Sequence, residues 1–206
     1  MRDVAAGVAF TIVPRHVLGR GFQAPSDTLN IACIGVGGMG WSDLQGLAAE
    51  NVYALCDVDD DRAERAFGAY PRAKRYRDFR EMLDKEGKSI DAVSVSTPDH
   101  THAVAGMMAL KLKKHVRIQK PLARTLHEVR TLAAAARGAG VATQMGNQGH
   151  AGEGTRQIRE WVEAGAIGTV REVHYWTNRP IWPQALDRPT EAHNVPPTLA
   201  WDLWLG

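Results

Sequence analysis

A glycine-rich turn between an apolar run and a helical pattern is the feature that most constrains how this chain folds. The turn reads Gly35-Val-Gly-Gly-Met-Gly40, and the helical pattern continues over 39–50. Gly35 permits a tight turn, Gly37 lets the backbone approach a pyrophosphate, and Gly40 allows the helix to pack closely on the strand. The amide groups at the helix N-terminus attract an anion. The motif therefore predicts a dinucleotide site within a strand–helix–strand unit.

Short apolar runs alternate with helical patterns along most of the chain. Strands are predicted at 29–34, 52–56, 91–95, 115–118 and 141–145, and helices at 39–50, 59–70, 100–112 and 125–138. Such alternation is typical of an α/β fold in which a doubly wound parallel sheet has helices on both faces. We therefore predict a Rossmann domain over residues 28–150. The charged stretch at 72–77 is interpreted as a solvated connection, because runs of charge are usually solvated.

The composition changes after residue 150. A further helix is predicted at 152–165 and a strand at 169–176, and four of the six tryptophans and five of the ten prolines follow from residue 176 onward. Large aromatic side chains need a surface that covers them. We therefore interpret 151–206 as the start of a second α/β domain that the chain does not complete.

The first residues carry a separate signal. The apolar segment at 4–13 is too short to span a membrane and fits the central region of an export signal. It is preceded by Arg2 and an aspartate, whereas a twin-arginine signal has two adjacent arginines. A buried N-terminal strand or helix is the alternative. We interpret 1–27 as a clipped export signal and linker, which predicts a periplasmic or exported protein, with the cytoplasm as the alternative location.

Composition excludes several classes of function. The 25 basic residues nearly balance the 23 acidic ones, so the net charge of +2 argues against a nucleic-acid-binding protein. No apolar run approaches the roughly 20 residues of a membrane span.

Cys33 and Cys56 form neither a disulfide framework nor a zinc motif, and their apolar surroundings predict inert buried thiols. His100 and His102 lack a third ligand in register, so no metal site is predicted.

Asp57 follows the second predicted strand and bears on the choice of cofactor. A carboxylate at the end of that strand can accept hydrogen bonds from both hydroxyls of an adenosine ribose. The same carboxylate repels a 2′-phosphate, and Arg62 is the only nearby residue that could hold one. The sequence therefore favours NAD over NADP.

Polar residues also follow the other predicted strands, where ligands of an open parallel sheet bind. These clusters are 94–102, 119–121 and 146–150. Lys120 lies between a strand end and a proline, which makes it a candidate proton donor or carbonyl polariser. An ordinary surface lysine is the alternative.

Taken in order, these motifs resemble the glucose–fructose oxidoreductase, inositol dehydrogenase and MocA (Gfo/Idh/MocA) family. The resemblance runs from about residue 28 to the chain end and is closest to the secreted branch whose members carry twin-arginine signals. It rests on the glycine turn, Asp57, Thr97-Pro98 with His102, Lys120-Pro121 and the turn Gly165-Ala-Ile-Gly168. It implies a nucleotide-binding domain followed by an α/β domain that commonly mediates oligomerisation, so a homo-oligomer is expected. It also implies hydride transfer between NAD(P) and a sugar or polyol.

The resemblance assigns a role to each matching residue. The expected cofactor-binding residues are Gly35, Gly37, Gly38, Met39, Gly40, Asp57, Ser96, Thr97, His102, Gln119 and Lys120. The glycine turn would hold the pyrophosphate, Asp57 the adenosine ribose, and Thr97 and His102 would line the groove near the nicotinamide. Lys120 would contact the substrate and the nicotinamide ribose as the one candidate catalytic residue.

Two departures from the family pattern matter. Gln119 stands where the family usually has glutamate, which keeps hydrogen bonds but removes a charge. The family's catalytic histidine lies on a later segment, so we expect an N-terminal fragment that binds NAD without turnover. Two alternatives stay open: a glycosidase that acts by transient sugar oxidation with tightly bound NAD, and a non-catalytic NAD-binding module.

Overall fold

Six parallel strands form the centre of the domain. The computed structural model describes residues 27–206, so the export signal predicted at the start of the chain lies outside the described residues. The strands are β1 (Asn30–Ile34), β2 (Asn51–Cys56), β3 (Lys74–Tyr76), β4 (Ala92–Val95), β5 (His115–Gln119) and β6 (Thr143–Gly146). Their order in the sheet is β3-β2-β1-β4-β5-β6. This order confirms the predicted doubly wound Rossmann fold.

Helices connect the strands and continue after the last one. They are α1 (Met39–Gly46), α2 (Asp60–Ala69), α3 (Phe79–Glu86), α4 (Asp99–Lys111), α5 (Leu126–Ala139), α6 (Glu153–Glu163) and α7 (Trp201–Leu205). Side-chain caps fix the start of three helices. Asp59 and Asp78 each accept a hydrogen bond from a backbone amide of the first turn of α2 and α3. Thr125 and Glu128 form a capping box at α5.

Strands β1, β2 and β4 are mostly apolar because helices cover both faces of the sheet there. Successive side chains point to opposite faces, so Cys33 packs with Leu44 of α1 and Ala63 of α2. Ile34 and Cys56 belong to the other core, with the helices α3, α4 and α5. Burial raises the pKa of the Cys33 thiol to about 12 and also raises that of Cys56. Both thiols are therefore buried, as predicted, and burial disfavours the reactive thiolate form.

The charged stretch at 72–77 is not a mere connection. It contains β3, which pairs in parallel with β2 and forms one edge of the sheet. Exposed edge strands tolerate charged side chains, which also discourage pairing with another chain. Lys74 is further neutralised by Glu86 of α3 at 2.6 Å. The stretch is solvated as predicted, but its interpretation as a connection was wrong, because an edge strand lacks the apolar pattern of a central one.

The chain after β6 contains the predicted helix but not the predicted strand. Residues 169–176 have no regular structure, and their aromatic side chains stay in solvent, with Trp176 82% exposed. A strand needs a neighbour to satisfy its backbone groups, and these residues pair with none of the described strands. None of the described helices is long and apolar enough to cross a membrane.

Candidate functional site

The glycine turn after β1 has the tight geometry that the motif predicts. Gly35 adopts φ +78°, and its amide donates to the carbonyl oxygen of Cys56 at 2.8 Å. A Cβ on Gly35 would lie 2.7 Å from the carbonyl oxygen of Ser96. A Cβ on Gly40 would collide with the carbonyl oxygen of Gly35. Larger residues at either position would therefore push the turn away from β4 or the helix away from the turn.

Asp57 lies at the end of β2 with its carboxylate against this turn. Its Oδ2 accepts hydrogen bonds from the amides of Val36 at 2.8 Å and Gly37 at 3.3 Å. Its Oδ1 accepts from the amide of Asp59 at 3.1 Å. The negative charge is thus fixed beside the glycine turn, where an adenosine ribose is expected.

A cleft of about 630 Å³ opens above the carboxyl ends of β1, β2 and β4. Seven of the predicted cofactor-binding residues line it: Gly35, Gly37, Gly38, Met39, Asp57, Ser96 and Thr97. The structure thus brings the predicted pyrophosphate and ribose contacts into one cavity.

Two arginines also line the cleft near Asp57. Arg62 lies 3.7 Å from Asp59, and Arg77 forms an ion pair with Asp60. Each cation therefore has a carboxylate partner of its own. Both arginines nevertheless remain exposed, so the preference for a free ribose over a 2′-phosphate depends on the Asp57 carboxylate.

His102 does not line the cleft, contrary to the prediction. Its side chain is 1% exposed, and each ring nitrogen lies 2.7 Å from a backbone carbonyl oxygen, Nε2 from Thr97 and Nδ1 from Pro121. The imidazole is enclosed because its helix, α4, packs against the sheet at this turn. His102 therefore ties the loop after β4 to the loop after β5 and can act on a ligand only through them.

Gln119 is also buried away from the cleft. Its amide nitrogen donates to Oδ2 of Asp43 at 3.0 Å, and its Oε1 accepts from the backbone amide of Lys120 at 2.8 Å. Lys120 itself is exposed and lies outside the cleft lining. The predicted direct contact of Gln119 with a cofactor is therefore replaced by a contact that positions the backbone of Lys120.

Asp43 is a buried residue beneath the site that no sequence motif predicted. Its side chain is only 6% exposed, its Oδ1 accepts a hydrogen bond from Arg117 Nη2 at 2.8 Å, and its Oδ2 lies 2.8 Å from Arg117 Nη1 in an ion pair. Ser96 Oγ donates to it at 2.7 Å. Burial acts to raise the pKa of Asp43, but the hydrogen bonds from Arg117, Ser96 and Gln119 outweigh it and lower the pKa. The available signal was Arg117, since an arginine inside an apolar strand needs a buried partner.

Comparison with known proteins agrees with this geometry. Residues 29–147 match the model of the Gfo/Idh/MocA oxidoreductase family, which describes its NAD-binding Rossmann fold. A myo-inositol 2-dehydrogenase of Thermotoga maritima is 29% identical over 162 residues, which make up 77% of this chain and 48% of that protein.

Two further proteins are informative. The crystal structure of an NAD-binding oxidoreductase from Klebsiella pneumoniae has a TM-score of 0.60 and 30% sequence identity, with 68% of this chain and 40% of that chain covered. A glycosyl hydrolase family 109 protein of Solibacter usitatus is 31% identical over an alignment of 118 residues that covers 50% of this chain and 26% of that protein. The chain thus spans less than half the length of each of these three relatives.

Proposed function

Because this chain belongs to the Gfo/Idh/MocA oxidoreductase family, we propose that the protein transfers hydride between NAD and a hydroxyl-bearing carbon of a sugar or polyol. The observation that carries the proposal is the cleft in which the glycine turn and the Asp57 carboxylate lie against each other. The similarity to a myo-inositol 2-dehydrogenase supports a polyol as the substrate class.

The residues of the cleft fit NAD. The turn at Gly35 and Gly37 leaves no side chain between the backbone and a pyrophosphate, and the first amides of α1 supply donors for it. Asp57 supplies the acceptor for the adenosine ribose hydroxyls. When bound, NAD supplies the hydride-accepting group, so the protein has to bind and orient the reactants.

Lys120 is the proposed catalytic residue of this chain. It follows β5 at the carboxyl edge of the sheet, and its side chain is exposed and free to reach a substrate. An ammonium group there can donate a hydrogen bond to the substrate oxygen and stabilise the charge that develops as its proton is lost. On the family resemblance, we propose that the 206 residues alone bind NAD without turnover.

NADH binding by Asp57 variants tests the cofactor site. Replacing Asp57 by Ala is expected to weaken NADH binding by about 1–2 kcal/mol, because charge-assisted hydrogen bonds to the ribose are lost. NADPH should lose less affinity, since the repulsion of its 2′-phosphate is removed. A fluorescence titration measures both, and Asp84→Ala on the exposed face of α3 is the matched control. Unchanged NADH affinity in the Asp57 variant would reject this assignment.

A glycosidase that retains NAD is the second candidate function. It is supported by the similarity to a glycosyl hydrolase family 109 protein. In such a reaction the sugar is oxidised transiently and the cofactor is restored within one turnover. Assays of the full-length protein distinguish the two candidates: net NADH formation with a polyol supports the dehydrogenase, and sugar release without net NADH supports the glycosidase.

Export and self-association are further proposals. The apolar segment at 4–13 supports export, and the mature protein is then expected to lack the residues before about Gly21. N-terminal sequencing of native material tests this, since recovery of Met1 would contradict it.

The family resemblance supports a homo-oligomer, which light scattering of the full-length protein would reveal.

A further inference from the structure

The last residues of the chain, 196–206 (the C-terminal segment), return to the cleft described above. Leu199 forms an antiparallel bridge with Asp59, just after β2. Next to it, the amide of Ala200 donates to the carbonyl oxygen of Val58 at 2.8 Å. The segment is thus joined by backbone hydrogen bonds to the loop that carries the ribose-binding Asp57.

A second set of contacts fixes the other end of the segment. His100, in the first turn of α4, donates from Nε2 to the carbonyl oxygen of Trp204 at 2.7 Å. The two rings also meet edge to face with their centroids 5.1 Å apart. Trp201 stacks on Trp204 at a centroid distance of 5.1 Å and an angle of 8° between planes.

The positions of these two attachments define what the segment covers. One follows β2 and the other follows β4, and β1 with its glycine turn lies between those strands. The segment therefore crosses over the glycine turn, and it contributes Pro196, Leu199, Trp201, Leu203 and Trp204 to the cleft lining. Trp201 is still 43% exposed, so it keeps aromatic surface available for a ligand.

We infer that the C-terminal segment is the outer wall of the NAD site and holds the dinucleotide against the glycine turn. The inference rests on the proposed NAD site. Trp201 and Trp204 offer the apolar and aromatic surface that purine and nicotinamide rings pack against. Release of NAD requires the contact between His100 and Trp204 to open, so the segment slows cofactor dissociation.

NADH binding to three variants tests this wall. Trp201→Ala is expected to weaken NADH binding roughly tenfold, as is typical of a lost stacking surface, with most of the change in the dissociation rate. His100→Ala is expected to raise the dissociation rate without removing any ring from the wall. Trp182→Ala is the control, because Trp182 is an exposed tryptophan outside the cleft lining and should behave as the unmodified chain. Equilibrium and stopped-flow NADH fluorescence measure both quantities.

Amide hydrogen exchange on the unmodified chain gives an independent test that needs no variant to fold. NADH is expected to slow exchange in 198–206 as well as in the glycine turn, and to leave 169–190 unchanged. Protection of the glycine turn without protection of 198–206 would overturn the inference. Unchanged NADH dissociation rates in both Trp201→Ala and His100→Ala would also overturn it. If the unmodified chain binds no NADH at all, the proposed function itself fails.

Discussion

Asp43 and Glu86 are two buried carboxylates whose hydrogen-bond networks lie in different regions of the domain. Asp43 of α1 accepts hydrogen bonds from Ser96, which follows β4, and from Arg117 and Gln119 of β5. This network therefore joins three elements where the carboxyl ends of the central strands meet, beneath the glycine turn.

The Glu86 network has similar chemistry at the edge of the sheet. Glu86 accepts hydrogen bonds from Lys74 Nζ at 2.6 Å, from the Tyr76 hydroxyl at 2.7 Å and from the Tyr53 hydroxyl at 2.9 Å. These donors lie on β2 and β3, so the carboxylate fastens the edge of the sheet to the end of α3. None of the four residues lines the cleft.

The difference shows that burial and hydrogen bonding do not by themselves mark a functional residue. Both networks lower the pKa of their carboxyl group, that of Glu86 to about 2 through the hydrogen bonds from Lys74 and Tyr76. What separates them is position, because ligands of a parallel sheet bind beyond the carboxyl ends of its strands. We therefore expect changes at Asp43 to affect stability and NAD binding, and changes at Glu86 to affect stability alone.

Removing the Asp43 carboxylate is expected to have the largest effect. Asp43→Ala should lower the free energy of unfolding by about 3 kcal/mol, because Arg117 loses its partner in a partly buried position. NADH binding should also weaken, since Gln119 and Ser96 no longer have a fixed acceptor. Urea denaturation and NADH titration, both at pH 7, measure these changes.

Glu86→Ala is the matched control for this experiment. It removes a carboxylate that accepts hydrogen bonds from three donors and should lower the free energy of unfolding by about 2 kcal/mol. NADH binding to the folded variant should equal that of the unmodified chain. If the two variants lose NADH affinity to the same degree, the distinction between the networks is wrong.

Restoring glutamate at position 119 sharpens the comparison. Gln119→Glu places a second carboxylate against Asp43, and two carboxylates in one site cannot both ionise freely. The expected loss is about 2 kcal/mol at pH 7, and it should shrink as the pH falls and one group gains a proton. The double variant Asp43→Asn/Gln119→Glu should recover most of the stability, because the amide and the carboxylate have changed places. Additive losses in this cycle would show that the two side chains do not interact.

The sequence predicted the fold well where both faces of the sheet are buried. Strands β1, β2 and β4 appear as short, mostly apolar runs, since burial on both faces leaves few polar positions to obscure the pattern. The edge strand β3 was missed because its residues are charged and one edge of it faces solvent. The strand at 169–176 was predicted from a local pattern, but strand formation depends on a partner elsewhere in the chain.

The residues of the site could also be predicted where the sequence signal is local, and not where their position depends on packing between elements. The glycine turn and Asp57 were predicted because the motif is local and its spacing is informative. His102 and Gln119 were predicted to contact the cofactor, but both side chains are buried outside the cleft lining. Their burial depends on which elements pack over them. Asp43 and the C-terminal segment could not be inferred from spacing, since they reach the site through contacts between elements far apart in the chain.

Neutralising Glu86 without shortening it is expected to give the smallest effect and to reveal its pH dependence. Glu86→Gln should lower the free energy of unfolding by about 1 kcal/mol at pH 7, because the amide group cannot accept from all three donors. The pKa of Glu86 is lowered on folding from its ordinary value of 4.5 to about 2. Its charged form therefore stabilises the fold above pH 4.5, and this contribution disappears as the pH falls toward 2.

The difference in stability between the unmodified chain and Glu86→Gln should accordingly be constant near neutral pH and shrink between pH 4.5 and 2. Urea denaturation at a series of pH values measures it, and NADH affinity at pH 7 should stay unchanged throughout. Glu81→Gln is the control, since Glu81 is an exposed residue of the same helix that pairs with Lys85. A pH-independent difference for Glu86→Gln would mean that packing of the side chain, and not its charge, holds α3 to the edge of the sheet.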